Sequence, residues 1–298
     1  MTTNYRICSR CVMDTTDPDI KFDESGVCSH YRRNEESVKE RLFLGEAGQE
    51  KLNKLVDQIN SKGRNKKYDC IIGVSGGVDS TYVASLVKKL GLRPLAVHLD
   101  NGWDSKLATS NIEKALKKLD VDLCRYVVDW EEFKDLQLSF LRASASDAEI
   151  PTDHAISALL YRTALKEGVQ FIITGSNVSA EGVLPTKWAY GLRDWRHIIS
   201  AHKKFGKIRL EDFPHYSLLR LLYYVFVKRL KTIHILNYMK YVKKEAREII
   251  EKELGWKYYG GKHYESICTP FLQAYILPKK FGIDKRRAHL SALICSVQ

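Results

Sequence analysis

The chain has 298 residues, 44% hydrophobic and 28% charged, and its 48 Lys+Arg against 36 Asp+Glu give a net charge of +12. This length buries a sizeable core without covalent staples, which excludes a mini-protein, and the composition excludes a disordered tail. Seven Cys, an odd number, argue against a secreted disulfide framework, and no apolar stretch follows residues 1–6, so the expected compartment is the reducing cytoplasm. The positive balance favours anionic partners such as nucleic acid, nucleoside triphosphates or nucleotide sugars.

Residues 1–31 are loop-rich, with Cys8, Cys11 and Cys28 set among Asp and Ser, so something other than a core holds them together. Cys8-x2-Cys11 followed by Cys28-Ser29-His30 has the spacing of a structural zinc knuckle, His30 serving as fourth ligand. Residues 32–67 read as a helical linker ending in the basic stretch Lys62-Gly63-Arg64-Asn65-Lys66-Lys67. From 68 to 205, short apolar strands at 69–74, 94–99, 123–128 and 171–174 alternate with helices near 80–90, 110–119 and 155–166. Such alternation predicts an α/β fold, a Rossmann-like doubly wound parallel sheet with helices on its faces. Val83, Leu86, Val87 and Leu90 recur at helical spacing, giving the first of these helices one apolar face for the sheet. Cys70, Cys124 and Cys295 lie in apolar runs and read as core.

Beyond 206 the strand signal fades, and 206–298 reads as a helical, basic C-terminal extension for substrate. Its most apolar stretch, 218–227, contains Arg220 and is followed by Lys228, Arg229 and Lys231. That is too short to span a membrane and fits a buried or surface-lying helix.

The strongest motif is Gly73-Val74-Ser75-Gly76-Gly77-Val78-Asp79-Ser80, between the first strand and its helix. Adjacent glycines let the backbone approach an anion, Ser75 and Ser80 offer hydroxyls, and the helix N-terminus favours negative charge. It is neither a Walker A loop nor a Gly-x-Gly-x-x-Gly fingerprint. Ser-Gly-Gly-x-Asp-Ser resembles the pyrophosphate loop of the N-type ATP pyrophosphatases, the adenine nucleotide alpha hydrolase-like PP-loop group that includes GMP synthetase, asparagine synthetase and several tRNA-modifying enzymes. The resemblance implies that Ser75, Gly76, Gly77, Val78, Asp79 and Ser80 bind ATP and its departing pyrophosphate, that Asp79 holds Mg2+, and that Asp79 and Ser80 are catalytic. At the ends of the second and fourth strands, His98, Asp100, Gly175 and Ser176 are further nucleotide candidates, because doubly wound sheets bind ligands there.

Three blocks in order carry a finer resemblance: Cys8 to Cys28, the pyrophosphate loop, and the C-terminal Tyr259-Gly260-Gly261-Lys262-His263-Tyr264-Glu265-Ser266 with Leu277-Pro278-Lys279-Lys280 to Ser291. Together they are similar to the N-acetyl sugar amidotransferases of the WbpG and PseA type, of bacterial O-antigen and flagellin-sugar biosynthesis. The family implies conversion of an acetamido group on a nucleotide-linked sugar, such as a UDP-sugar, to an acetamidino group, with AMP and pyrophosphate released. It also implies a separate glutaminase subunit and a cyclase-like barrel subunit, akin to those of imidazole glycerol phosphate synthase, because no glutaminase nucleophile stands in this chain. Tyr31 occupies the place of the family's fourth cysteine, and members commonly continue beyond the 288–291 block, so a C-terminal element is expected to be missing.

Within the basic C-terminal block, Lys262 and Lys279 are catalytic candidates in Gly- or Pro-marked turns. His263, Lys280, Lys285, Arg286 and Arg287 are candidates for substrate phosphate or carboxylate. Asp153 and His154, before a predicted helix, are substrate contacts, or Asp153 is its N-cap. Trp188, Tyr190 and Trp195 stack a base or sugar, or belong to the core. The competing function is a tRNA-modifying PP-loop enzyme of the thiolation or lysidine type. The amidotransferase reading expects ATP, Mg2+ and a structural Zn2+ but no nucleic-acid partner.

Overall fold

The computed structural model describes residues 5–188, 191–261 and 263–296. Two helices, α1 (Ser29–Arg41) and α2 (Gly45–Gly63), precede the sheet. Then β1 (Cys70–Gly73), α3 (Val78–Lys89), β2 (Pro94–Asp100), α4 (Lys106–Leu119), β3 (Leu123–Val127), α5 (Trp130–Arg142), α6 (Ile150–Lys166) and β4 (Phe171–Thr174) follow in alternation. After α7 (Val178–Glu181), α8 (Trp195–Phe205) and α9 (Leu218–Leu222), which runs on as a π-helix over Tyr223–Val227, a fifth strand β5 (Lys231–His234) joins the sheet. The chain closes with α10 (Lys243–Leu254), α11 (Cys268–Phe271), a π-helical stretch Leu272–Phe281, and α12 (Lys285–Cys295).

All five strands are parallel, in the order β3-β2-β1-β4-β5. The chain leaves β1 toward β2 and β3, then returns to the other side for β4 and β5. The carboxyl ends of β1 and β4 therefore flank the crevice where strand order reverses, the usual ligand site of such sheets.

Alternation along each strand separates two cores. Cys70 and Ile72 of β1, Ala96 of β2, and Phe171 and Ile173 of β4 face one core with α3, α4 and α10. Ile71, Leu95, Val97, Leu99 and Ile172 face the other, with α5 and α6. In α3, Val83 and Val87 are fully buried, and Leu86 and Leu90 pack at the edge of the same core, as their spacing requires.

The segment read as wholly helical beyond 218 contains β5. Only Ile233 of its four residues is buried, so a short edge strand leaves no alternation to read. The 218–227 stretch lies on the surface, with Leu221 and Tyr224 buried and Leu219 and Phe226 exposed. Among the described residues, no helix is long and apolar enough to cross a membrane.

A third core joins the two ends of the chain. Cys8, Cys11, Met13, Val27 and Cys28 pack with Trp188, Leu277, Ile283, Ala288 and Ala292. Arg287 of α12 fastens it: its guanidinium donates to the carbonyl of Val12 at 3.1 Å and pairs with Asp14 Oδ2 at 2.9 Å. Asp14 is fully buried, so this bond neutralises a charge that has no access to water. Arg287, expected at substrate, is thus a structural tie. Cys124 and Cys295, expected in the core, are only partly buried, Cys124 on the edge strand β3 and Cys295 against the third core.

Candidate active site

The loop after β1 bends back on itself. Gly76 sits at φ +77°, and a Cβ there would lie 2.7 Å from the carbonyl oxygen of Ala108. A side chain is therefore excluded twice, by the left-handed backbone and by α4. Trp256 Nε1 donates to the Gly76 carbonyl at 2.8 Å, holding that peptide from outside. Inside the loop, Ser75 N donates to Ser80 Oγ at 3.2 Å, Gly77 N donates to Ser75 Oγ at 3.3 Å, and Ser80 Oγ donates to the Gly77 carbonyl at 3.3 Å. Gly77 is the N-cap of α3 and supplies no side-chain cap, so the helix N-terminus stays available to an anion.

A cavity of about 460 Å³ opens over this loop, lined by Ser75, Gly77, Val78, Asp79 and Ser80 from β1–α3 and by Gly175 and Ser176 after β4. Gly175 packs tightly, since a Cβ there would meet the backbone of Asp79 and Ser80 at 3.0–3.1 Å. The opposite wall comes from α10, whose Lys243, Lys244 and Arg247 bring positive charge to the phosphate site. Composition hid this contribution, because these residues look like any solvated helix face until α10 packs on α3.

Asp79 stands in the first turn of α3. Tyr241 Oη donates to its Oδ1, and Lys243 Nζ reaches its Oδ2 at 2.9 Å. Burial, and then Asp79 itself, push the Tyr241 phenol far above its ordinary range, so it remains a donor. One carboxylate beside a phosphate cradle fits Mg2+, which takes one or two carboxylates and completes its shell with phosphate oxygens and water.

A second cavity, about 720 Å³, shares a wall with the first that includes Ser75, Ser80, Glu181, His263 and Glu265. Asp153 and Lys285 also line it, as does His98. His98 Nδ1 donates to the carbonyl of Val74 at 2.9 Å, and its Nε2 meets Asp104 Oδ2 at 2.9 Å. Burial opposes the charged ring, but Asp104 more than offsets it and the pKa is raised. His263, at φ +64°, lies 3.4 Å from Glu265 Oε1 through Nδ1.

Several expected contacts fall elsewhere. Asp100 lines neither cavity; it accepts from Arg125 at 2.5 Å and from Gly102 N at 3.0 Å, tying β2 to β3 and shaping the turn. His154 is fully buried in a stack with Tyr216 and Trp195, with Nδ1 on the Leu192 carbonyl and Nε2 accepting from Tyr216 N. Trp195 and Trp188 are likewise packing residues, Trp188 in the third core and Trp195 stacked on His215. Asp153 is not the cap of α6, which begins at Ile150 with Glu149 as N-cap. Lys279 is exposed over the Tyr275 ring, Lys280 is exposed near the Leu141 carbonyl, and Arg286 pairs with Asp284, the cap of its own helix. Lys262 and Tyr190 lie outside the described residues.

In the N-terminal unit, the sulfurs of Cys8, Cys11 and Cys28 are buried and lie within 4.8 Å of one another. Backbone N–H groups of Arg10 and Cys28 donate to Cys8, and that of Tyr31 to Cys28. The Cys11 and Cys28 sulfurs share a hydrogen bond at 3.7 Å, and this contact holds the Cys11 thiol below its ordinary range, against the effect of burial. Sulfurs so placed can hold a metal ion. His30 is not the fourth ligand in this geometry: its Nε2 meets Asp17 Oδ2 at 2.5 Å, and its Nδ1 accepts from Arg33 at 2.7 Å.

Comparison with known proteins shows what parts of the chain are similar to. Residues 265–298 match the model "LPS biosynthesis protein WbpG-like, C-terminal domain". The uncharacterized protein MJ1599 of Methanocaldococcus jannaschii is 33% identical over 129 residues, 42% of this chain and 45% of that protein. A probable glutamine-hydrolyzing GMP synthase of Caenorhabditis elegans is 40% identical over 73 residues, 24% of this chain and 10% of that one. The chain thus spans less than half the length of these relatives. The NH3-dependent NAD synthetase of Campylobacter jejuni aligns with 54% of this chain and 74% of its own, at 19% identity and a TM-score of 0.35. Glu265, Lys285 and His289 of the segment that is similar to the WbpG-like C-terminal domain reach the cavities beside the Ser75–Ser80 loop.

Proposed function

We propose that the protein is an ATP-dependent amidotransferase that converts the acetamido group of a nucleotide-linked N-acetyl sugar, such as a UDP-sugar, to an acetamidino group. One observation carries this reading: the WbpG-like segment supplies the wall of a cavity that opens directly off the phosphate loop. An acceptor held there lies beside ATP held in the first cavity.

The chemistry explains why ATP is needed. Ammonia cannot expel oxygen from an amide as hydroxide, but the amide oxygen can attack the α-phosphorus of ATP and become part of an AMP leaving group. Pyrophosphate departs into the loop of Ser75 to Ser80, where backbone N–H groups, Lys243, Lys244 and Arg247 meet its charge. Mg2+, when bound at Asp79, supplies further neutralisation of phosphate charge. Catalysis is then alignment and charge stabilisation. Ammonia comes from a glutaminase subunit with a cyclase-like barrel partner, and lipopolysaccharide or flagellin sugars are the products served.

The thiolation reading gains no support. Among the described cysteines only Cys268 lines either cavity, and burial, with Glu149, pushes its thiol up to about 11. The test of the proposed function is mass spectrometry of a reaction holding the chain, ATP, Mg2+, ammonium and a panel of UDP-acetamido sugars. An O-to-NH exchange in one sugar, matched by AMP and pyrophosphate, is expected; AMP formation that no acetamido sugar stimulates contradicts it.

On the same reading, Cys8, Cys11 and Cys28 hold a structural Zn2+, with a ligand other than His30 in the fourth position. Metal analysis of protein purified without chelator is expected to give about one zinc per chain, lost in Cys28→Ser, since structural zinc is bound tightly by thiolates. Zinc-free wild-type protein that remains folded contradicts it.

A further inference from the structure

One helix lies between the sulfur cluster and the nucleotide site. Residues four apart share a helix face, so Arg287, Ser291 and Cys295 form one stripe of α12. Arg287 holds Asp14 and the Val12 carbonyl. One turn on, the fully buried Ser291 accepts from Val12 N at 3.2 Å and turns its hydroxyl toward the Cys11 sulfur. A further turn brings Cys295, partly buried against the third core, where its thiol faces Asn34 of α1 with Cys11 and Cys8 close by. Lys285, His289 and Leu293 are two positions out of step with this stripe, about 200° round the helix, and line the cavities.

The cluster offers three corners of a tetrahedron. Cys11 and Cys28 sulfurs stand 3.7 Å apart, and the edge of a tetrahedral ZnS4 centre with Zn–S bonds of about 2.3 Å is about 3.8 Å. Candidates near the three cysteines in sequence are already engaged. His30 is held by Asp17 and Arg33, and Asp14 by Arg287 and Tyr5. Tyr31, at the place where a second Cys-x2-Cys would end, lies with its ring under Arg10.

We propose that Cys295 supplies the fourth thiolate, so that the metal ties α12 to the N-terminal unit, an inference that rests on the zinc reading of Cys8, Cys11 and Cys28. Its sulfur is not among the three that lie within 4.8 Å of one another; ligation draws it in through its χ1 torsion and the last turn of α12. The thiol gives its proton to solvent, and the freed sulfur lone pair forms the bond to zinc. Donors for all four sulfurs are in place: Arg10 N and Cys28 N at Cys8, Tyr31 N at Cys28, Ser291 at Cys11 and Asn34 at Cys295. The metal then fixes the helix whose other face carries Lys285 and His289 to the cavities.

X-ray absorption at the zinc edge of the whole protein, purified without chelator, counts the ligands. Four sulfurs at about 2.3 Å are expected in wild type. Cys295→Ser is expected to show three sulfurs with one oxygen or nitrogen, and a zinc affinity lowered at least about 10²-fold. Three sulfurs in wild type, or an unchanged sulfur count in Cys295→Ser, overturns the proposal. Should Cys295→Ser fail to fold, Cys295→His is read in its place: three sulfurs and one nitrogen are expected, and four sulfurs overturn the assignment. In wild type, bound zinc is expected to block alkylation of Cys295 but not of Cys124, which is also partly buried; Cys295 alkylated as fast with zinc as without it overturns the proposal as well. Wild-type protein that folds without zinc and takes none up removes the zinc reading, and this inference with it.

Discussion

Asp79→Ala lowers AMP and pyrophosphate formation by about 10²–10³-fold, the scale for removing a group aimed at developing charge in a closed site. The side chain stands on the cavity wall, held by Tyr241 and Lys243, so the change removes the proposed magnesium ligand without opening a core. The backbone N–H groups of the loop and the α10 side chains on the opposite wall stay in place, so ATP binding is expected to weaken less than turnover. Steady-state assays of AMP release, with thermal unfolding alongside, check this. A fall in kcat with an unfolding temperature within a few degrees of wild type is the expected result, and undiminished AMP release removes Asp79 from the site.

Gly76→Ala is expected to raise the KM for ATP at least about tenfold. A left-handed backbone costs a side chain about 1–2 kcal/mol, and the new Cβ, 2.7 Å from the Ala108 carbonyl, must push the loop off α4. The N–H groups that cradle phosphate then lose their common aim, and about 1.4 kcal/mol of lost contact is a factor of ten. Gly91 is the control. It has almost the same φ, +76°, but a Cβ added there would meet no atom within 4 Å. Gly91→Ala should lower stability by about 1 kcal/mol and leave the KM unchanged. Equal kinetic effects at both positions would show that backbone strain, and not the contact with α4, governs the loop.

The parts of this protein that announce themselves in sequence are those whose chemistry is local. A strand, two glycines, an Asp and a helix start lie within 70–80, and spacing alone places an anion site there. What stayed hidden depends on which way a helix faces. On α12, successive residues turn by about 100°, so Lys285 enters the second cavity while Arg286 points to solvent and Arg287 to the third core. On α6, Asp153 faces the cavity and His154 the aromatic stack. A run of basic letters cannot show this, because surface charge and site charge have the same composition. The wall formed by α10 was hidden for another reason: Tyr241 and Lys243 reach Asp79 across 162 and 164 positions of sequence, a closure only the packed sheet makes. His30 shows the converse, a residue at ligand spacing whose ring is already occupied by Asp17 and Arg33.

In the proposed reaction the acetamido oxygen itself is adenylylated at this loop. The reaction run with a UDP-acetamido sugar carrying ¹⁸O in its acetamido group, with ATP, Mg2+ and ammonium, tests it at the atom concerned. AMP bearing one ¹⁸O and an acetamidino sugar bearing none are expected. Unlabelled AMP, or label retained in the sugar product, would contradict it.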